Sequence, residues 1–600
     1  MSSVIKEMPQ DWLGLTTHRL DVYNEKLAKT EFIEGIEKLF TKGKFTKADL
    51  EALPTAYDYI RLGHPLSSIL EWAIGKRNSL PANNVIAFDS NTMPLMAVLR
   101  HNLNKSKPTK IIVNGQLPEN FDEQLLRDTY HYIFEIEQFT EGNVYSTDDN
   151  SSLLYDCEGD LDLLGLEGYD FILSNKKGLG SILILNEGEE YIDSVQHVRR
   201  RETVAMTPIN TLLVLKQLVG IPIEVPSIEM KNRRKVTEQI NTITNTSCEP
   251  LVASSGLSMQ YAIMMGLLHQ SRENHPGKAI KIVVPPNCYG GTNDQARRVA
   301  HMASDVEILD LPVDGKNDMV RSTDKVLADV AAMDAVPLVI AEIPTNPRVE
   351  VPDLNQLGQV LTAIRKTKDG KDAIPPVFIL DQTFCPNYNF LGNDRELAAV
   401  QTIAYVSGSK FPSGGKVTAG YCVANDTGTH LLKFIKQHLN LCDNEATTYQ
   451  FEVLAQQLPS MLDRIKKAYE NTREFVEFIQ DVLPEAKMNF VSKELAEQGF
   501  TPSVFSLDLP TGDRQGDENE QYKRTLNNRL IDMMINQLPG ESKYCVSYGQ
   551  LRGMYWTIPA TSTQGTTREE DKDYIARVSV SPSVDLEKHK KVFKEFVATL

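Results

Sequence analysis

Six hundred residues, 41% hydrophobic and 24% charged, form an ordinary globular composition that is too long for a single hydrophobic core, so two to four domains are expected. The formal net charge of -17 would repel a phosphate backbone, and no Lys/Arg block interleaved with aromatics overcomes it locally, which argues against a nucleic-acid partner. The opening MSSVIKEMPQDW has no basic stretch followed by an apolar one, and no run of about eighteen apolar residues follows. The seven cysteines are scattered with no C-x-x-C pair, so a cytoplasmic chain with reduced thiols, no membrane span and no metal site is expected.

In chain order, THRLDVYNEKLAKTEFIEGIEKLF (17–40) reads as an opening helix and FDSNTMPLMAVLRHNL (88–103) as a turn entering a second one. KIIVNGQ, LLYDCE, DFILSNKKGLGSILIL and ETVAMTPINTLLVLKQL follow. In that order the segments resemble the class V aminotransferases, the group that includes phosphoserine aminotransferase. The resemblance puts Asp156 and Lys177 at the ring-nitrogen and Schiff-base positions of a pyridoxal-phosphate site. The stretch from Gly115 to Asp156 is too short for that family's intervening strand-helix units, and Asn91 or Thr92 replaces the glycine of its phosphate turn. Residues 1–220 are therefore read as a degenerate class V aminotransferase-like α/β domain with a structural or dimerisation role.

From Lys278 onward, short apolar β-rich runs alternate with longer amphipathic stretches: IKIVV (280–284), LVIAE (338–342), VFILD (377–381) and TIAYVS (402–407). The alternation predicts a parallel sheet with helices on both faces, and ligands sit at the carboxyl ends of such strands. Small and polar motifs stand at these ends: SSGLS (254–258), YGGT (289–292), EIPTNP (342–347) with FILDQTF (378–384), and VSGSK (406–410). In this order and spacing they resemble the Cys/Met-metabolism family of pyridoxal-phosphate enzymes, which contains cystathionine γ-synthase and the cystathionine and methionine lyases. The resemblance runs over roughly residues 225 to 600.

It implies an aspartate-aminotransferase-like large domain of fold type I over 221–443, with pyridoxal 5'-phosphate as cofactor. Lys410, just past a buried strand, would form the Schiff base, which requires an amine desolvated enough to lose its proton. Ser407 and Ser409 match the family's S-x-[ST]-K hydroxyls at the cofactor phosphate. Ser255, Gly256 and Leu257 begin a helix whose first amides suit the same anion, although serine is also an ordinary N-cap. Asp381 ends an apolar run, where a buried carboxylate needs a cation, and the protonated ring nitrogen would supply it. Asn346 and Thr383 match positions at the ring face or its phenolic oxygen, and Tyr289 matches a tyrosine that stacks on the ring and assists proton transfer.

Beyond Asp443, one or two helices are expected to about Leu483, and then a smaller α+β domain, the two together spanning 444–600. DLPTGDRQGDENEQ (508–521) reads as a surface loop. YIARVSVSPSVD (574–585) resembles the family's R-[LV]-S-V segment, which makes Arg577 the fork for the substrate carboxylate; Ser547 matches the serine of an S-L-G element, and Arg552 is a rival for the carboxylate. The family's Y-x-R segment, which reaches into the neighbouring subunit to hold its cofactor phosphate, is expected near 225–235. VPSIEMKNRRK stands there without it, leaving Lys231, Arg233 or Arg234 as the available charges.

The resemblance implies a β- or γ-elimination or γ-replacement on a sulfur-containing or O-acylated amino acid, by a homo-oligomer (dimer or tetramer) acting on a small amino-acid substrate. An aminotransferase and a non-catalytic scaffold are the alternatives. A P-loop at PSGGK (412–416) would need glycine at Lys410 and Ser or Thr at Val417, and neither G-x-S-x-G nor H-E-x-x-H occurs.

Overall fold

The computed structural model describes the chain except residues 15–24, 55, 58–59, 146–150, 159–167, 187, 228, 314–317, 545–549 and 561–572. Three sheets organise it. The first comprises β1 (Val85–Phe88), β2 (Thr109–Asn114), β3 (Phe134–Gln138), β4 (Ser152–Glu158), β5 (Phe171–Lys176) and β6 (Gly180–Leu185), in the order β1-β6-β5-β4-β2-β3. The second comprises β7 (Leu251–Ala253), β8 (Ile280–Val284), β9 (Val306–Asp310), β10 (Val336–Glu342), β11 (Val377–Asp381), β12 (Gln401–Ser407) and β13 (Gly420–Ala424), in the order β7-β13-β12-β11-β10-β8-β9. The third comprises β14 (Lys487–Asn489), β15 (Val504–Asp508), β16 (Ser542–Tyr544), β17 (Gly553–Pro559) and β18 (Tyr574–Ser579), in the order β14-β15-β18-β17-β16.

The four apolar runs expected to be strands are β8, β10, β11 and β12. They pair in parallel with one another and with β9, while β13 and β7 run antiparallel at one edge. A parallel sheet covered on both faces demands unbroken apolar strands, and every residue of β8 and β10 is buried. In register, Glu342 of β10 lies beside Asp381 of β11, which lies beside Tyr405 of β12. Polar groups from three strands therefore meet at one end of the sheet.

The helices expected after Asp443 are Thr448–Gln457 and Met461–Val482, and the third sheet packs with Gly516–Gln537 and Leu586–Val597 around a separate core. The segment 508–521 is not a loop throughout. Its second half opens the 22-residue helix Gly516–Gln537, with Asp517 and Glu518 in the first turn. Acidic side chains that look like loop composition are there favoured by the exposed amides and dipole of a helix N-terminus. At the front, the expected opening helix is Glu25–Lys42 within the described residues. No described helix is long and apolar enough to cross a membrane.

The first and second sheets share one core, in which Ile86 and Leu99 join Met259 and Ile282. Between them the helices Met93–Asn104 and Gly256–Asn274 meet around a buried carboxylate. Glu202, wholly buried, accepts from Arg100 on the first layer and from Arg298 Nε (3.1 Å) on the second, and Arg100 Nη2 also donates to Tyr261 Oη (2.5 Å). Burial alone would raise this carboxyl's pKa, but the two arginines outweigh it and hold the pKa below the usual range. Truncating one member of a buried network leaves the other charges unpaired. Glu202→Ala is therefore expected to destabilise the fold by about 3–5 kcal/mol, and Glu202→Gln by less. Urea unfolding of the two variants checks this; an Ala variant as stable as the parent would refute it.

Candidate active site

An open cavity of about 850 Å³ lies at the carboxyl ends of β10, β11 and β12, closed on one side by Trp556, Ile558 and Arg577 of the third sheet. All three motif regions of the second sheet line it, together with Ser255, Gly256 and Leu257 at the start of the helix Gly256–Asn274.

That helix starts where it does for packing reasons. Ser255 caps it, its Oγ accepting from Ser258 N (3.0 Å), and the next residue has no side chain. A Cβ on Gly256 would lie 3.0 Å from Ser407 Cβ, and one on Gly420 would lie 2.5 Å from the Ser255 carbonyl oxygen. The two glycines let the helix start sit directly on the end of β12. Its first amides, which have no acceptor within a helix, thus share one corner with Ser407 and Ser409.

Lys410 follows β12 and is 6% exposed, with its backbone N–H directed at the Ser407 carbonyl (3.3 Å). Asp381 ends β11, and its Oδ1 accepts from Thr383 N (2.9 Å), while Thr383 Oγ1 accepts from Ser407 N (2.9 Å). Thr383 therefore ties the carboxylate to the serine turn. Arg577, 2% exposed on β18, donates to Asn346 Oδ1 and lies 5.5 Å and 5.6 Å from the ring centres of Phe384 and Trp556. The cavity thus gathers Ser255, Gly256, Leu257, Tyr289, Asn346, Asp381, Thr383, Ser407, Ser409, Lys410 and Arg577. Ser547 lies outside the described residues. Arg552 does not line the cavity, and its Nη1 donates to the Pro539 carbonyl (3.2 Å).

Glu342, Arg61 and Gln260 line the cavity without having been singled out from the sequence. Glu342 carries the same signal that marked Asp381, a carboxylate ending a buried apolar run. It accepts from Tyr289 N (2.7 Å) and so fixes the start of the helix Gly290–His301. Burial, reinforced by the neighbouring Asp381, pushes its carboxyl up to about 8. Asp381 is also raised by burial, but it receives a bond from Thr383 and faces Lys410, so it is the member of the pair that keeps its charge. Two carboxyls this close cannot both ionise cheaply.

Arg61 comes from the first layer. It is 4% exposed, and its Nη2 donates to Tyr289 Oη (3.3 Å) across 228 residues. The sequence around it reads Tyr59-Ile60-Arg61, a Tyr-x-Arg lying far upstream of the place expected for one. Lys231, Arg233 and Arg234 do not line the cavity: Lys231 is exposed, Arg233 pairs with Glu445, and Arg234 with Glu238. In the first layer, Lys177 is an exposed turn residue and Asp156 Oδ1 accepts from Asn175 Nδ2 (2.7 Å).

A buried lysine after a parallel strand, a buried carboxylate on the neighbouring strand and the first amides of a helix thus line one cavity. Residues 229–494 match the model of the Cys/Met metabolism PLP-dependent enzyme family, and this segment is that of a PLP-dependent enzyme. The cofactor of the family is pyridoxal 5'-phosphate, and the cavity fits such a guest: Gln260 Nε2, Glu342 Oε2 and Trp556 Nε1 are buried among its lining residues without a partner among the described residues. Among solved structures the chain is similar to a methionine gamma-lyase of Micromonospora echinospora, at 17% identity and TM-score 0.44 over 62% of this chain and 86% of that one. It is also similar to a cystathionine gamma-synthase of Xanthomonas oryzae pv. oryzae in complex with cystathionine, at 17% identity and TM-score 0.45 over the same shares. No curated protein matches the chain in sequence.

The raised Glu342 carboxyl has a thermodynamic signature in the cofactor-free protein. Below the usual carboxylate range the group is protonated whether the chain is folded or not. From there to about 8 the unfolded chain releases the proton that the folded one keeps, so stability falls as pH rises through that window and levels off above it. Glu342→Gln should flatten this fall. Unfolding free energies measured over a pH series decide it, and identical pH profiles for the two proteins would refute the assignment.

Proposed function

We propose that the cavity holds pyridoxal 5'-phosphate through Lys410 and carries out a β- or γ-elimination, or a γ-replacement, on a sulfur-containing or O-acylated amino acid. The observation that supports it most is the convergence of Lys410 and Asp381 from the second sheet with Arg577 from the third on one cavity. In this reading the amides of Gly256 and Leu257 with Ser407 and Ser409 take the phosphate, and Asp381 gives the counter-charge that keeps the ring nitrogen protonated. Bound there, the cofactor supplies an electron sink next to the substrate's α-carbon.

The chain's own groups do the rest. The guanidinium of Arg577, oriented by Asn346 and flanked by Phe384 and Trp556, offers a two-pronged grip on the α-carboxylate. Those apolar neighbours exclude water and so strengthen the grip. With the carboxylate fixed, Lys410 Nζ takes the α-proton and can return it further along the side chain. Tyr289 Oη, bonded by Arg61, protonates the leaving group. The family match supports loss or exchange of a side-chain group over plain amino transfer.

The test is product analysis with homoserine esters, cystathionine, and unsubstituted amino acids supplied with a keto acid. A 2-keto acid released with ammonia, or a thioether formed, is expected; efficient amino transfer without loss of a side-chain group would overturn the proposal. Asp381→Ala should remain folded and lose turnover roughly a hundredfold to a thousandfold, the scale of a lost preorganised charge. Borohydride reduction followed by peptide mapping should place the pyridoxyl group on Lys410.

A further inference from the structure

The first sheet is a copy of the second with one strand missing. Taken in order, β1, β6, β5, β4, β2 and β3 correspond in position and direction to β7, β13, β12, β11, β8 and β9; β10 alone has no counterpart among the described residues. The helix packing repeats as well. Pro65–Arg77 packs on Pro208–Leu218 as Met230–Thr244 packs on Thr448–Gln457, and Met93–Asn104 packs on Glu189–Arg201 as Gly256–Asn274 packs on Leu432–Leu441. Even the isolated bridge Phe88 to Ala205 has its twin in Ala253 to Glu445.

The two copies face each other across the Glu202 network, and one gives what the other receives. The loop before Pro65–Arg77 leaves the first layer and docks on the second: Ile60 packs on Val417 and Val453, and Arg61 enters the cavity. The described residues of the loop are anchored on the first layer. The Arg61 carbonyl accepts from Ala205 N (2.8 Å), and a Cβ on Gly63 would collide with the Tyr57 ring at 2.3 Å. His64 caps the following helix, with Nδ1 accepting from Ser67 N (3.2 Å) and Nε2 bonded to the Met206 carbonyl (2.7 Å).

We propose that the first layer is an internal second copy standing where a partner subunit would stand, and that it supplies Arg61 within the same chain as the cation for the cofactor's phosphate. The inference rests on the cofactor assignment above and extends it: one chain completes its own site. A guanidinium facing a phosphate makes charge-assisted bonds, and the loss of one weakens binding by about tenfold to a hundredfold.

The test starts from full-length protein stripped of cofactor and titrated with pyridoxal 5'-phosphate and with pyridoxal, which lacks the phosphate. Arg61→Ala should weaken the phosphate-bearing ligand by about tenfold or more and leave pyridoxal unchanged, while Arg61→Lys recovers part of the loss. Arg61→Ala and Lys410→Ala chains carrying different tags are then co-expressed, and any mixed assembly is isolated. Supply within one chain predicts no tight site in the mixture. A monomeric wild-type chain that binds the cofactor tightly says the same. Tight binding restored in the mixed assembly would show that Arg61 acts between chains and overturn the proposal. So would an Arg61→Ala affinity equal to the parent's, or an equal loss for pyridoxal. If the wild-type chain itself forms no adduct at Lys410, the cofactor assignment fails instead, and the two failures remain distinct.

Discussion

The contact on which the rest of the molecule leans is the carboxylate of Glu202 buried between two arginines. A lone charge in that position would not be tolerated, so the two α/β layers must close on it together, Arg100 from one side and Arg298 from the other. Where the layers are closed, the Arg61 loop lies against Tyr289.

Inside the cavity the deciding constraint is again electrostatic. Parallel pairing puts Glu342 and Asp381 side by side at their strand ends, and Lys410, which Asp381 faces, settles which one carries the charge. A neutral Glu342 can hold the Tyr289 amide without competing for a cation, and a charged Asp381 can serve one.

Much of this was legible in the residues. The four apolar runs became the central strands because a parallel sheet covered on both faces favours apolar side chains and admits a polar one such as Lys281 only where it is paired, here with Glu307, and the serine, lysine and aspartate motifs met because strand ends in such a sheet are neighbours. Glu342 was equally legible, since LVIAE repeats the logic of VFILD. The loop reading of 508–521 failed because acidic residues suit both a turn and the first turn of a helix, and composition cannot separate the two. The place of Arg61 in the cavity could not be read from local pattern. Its Tyr-x-Arg is plain in the sequence, but only the packing of one layer on the other says which cavity it enters.

The separation of 228 residues between Arg61 and Tyr289 also bears on how the protein is made. Local contacts form early and cheaply, whereas distant ones wait on the closure of long loops. During synthesis the first layer emerges ahead of the second, yet the cavity needs Arg61 near one end of the chain and Arg577 near the other. The site is therefore among the last features to assemble, and a chain interrupted before the third sheet would hold its lysine in a cavity lacking one wall.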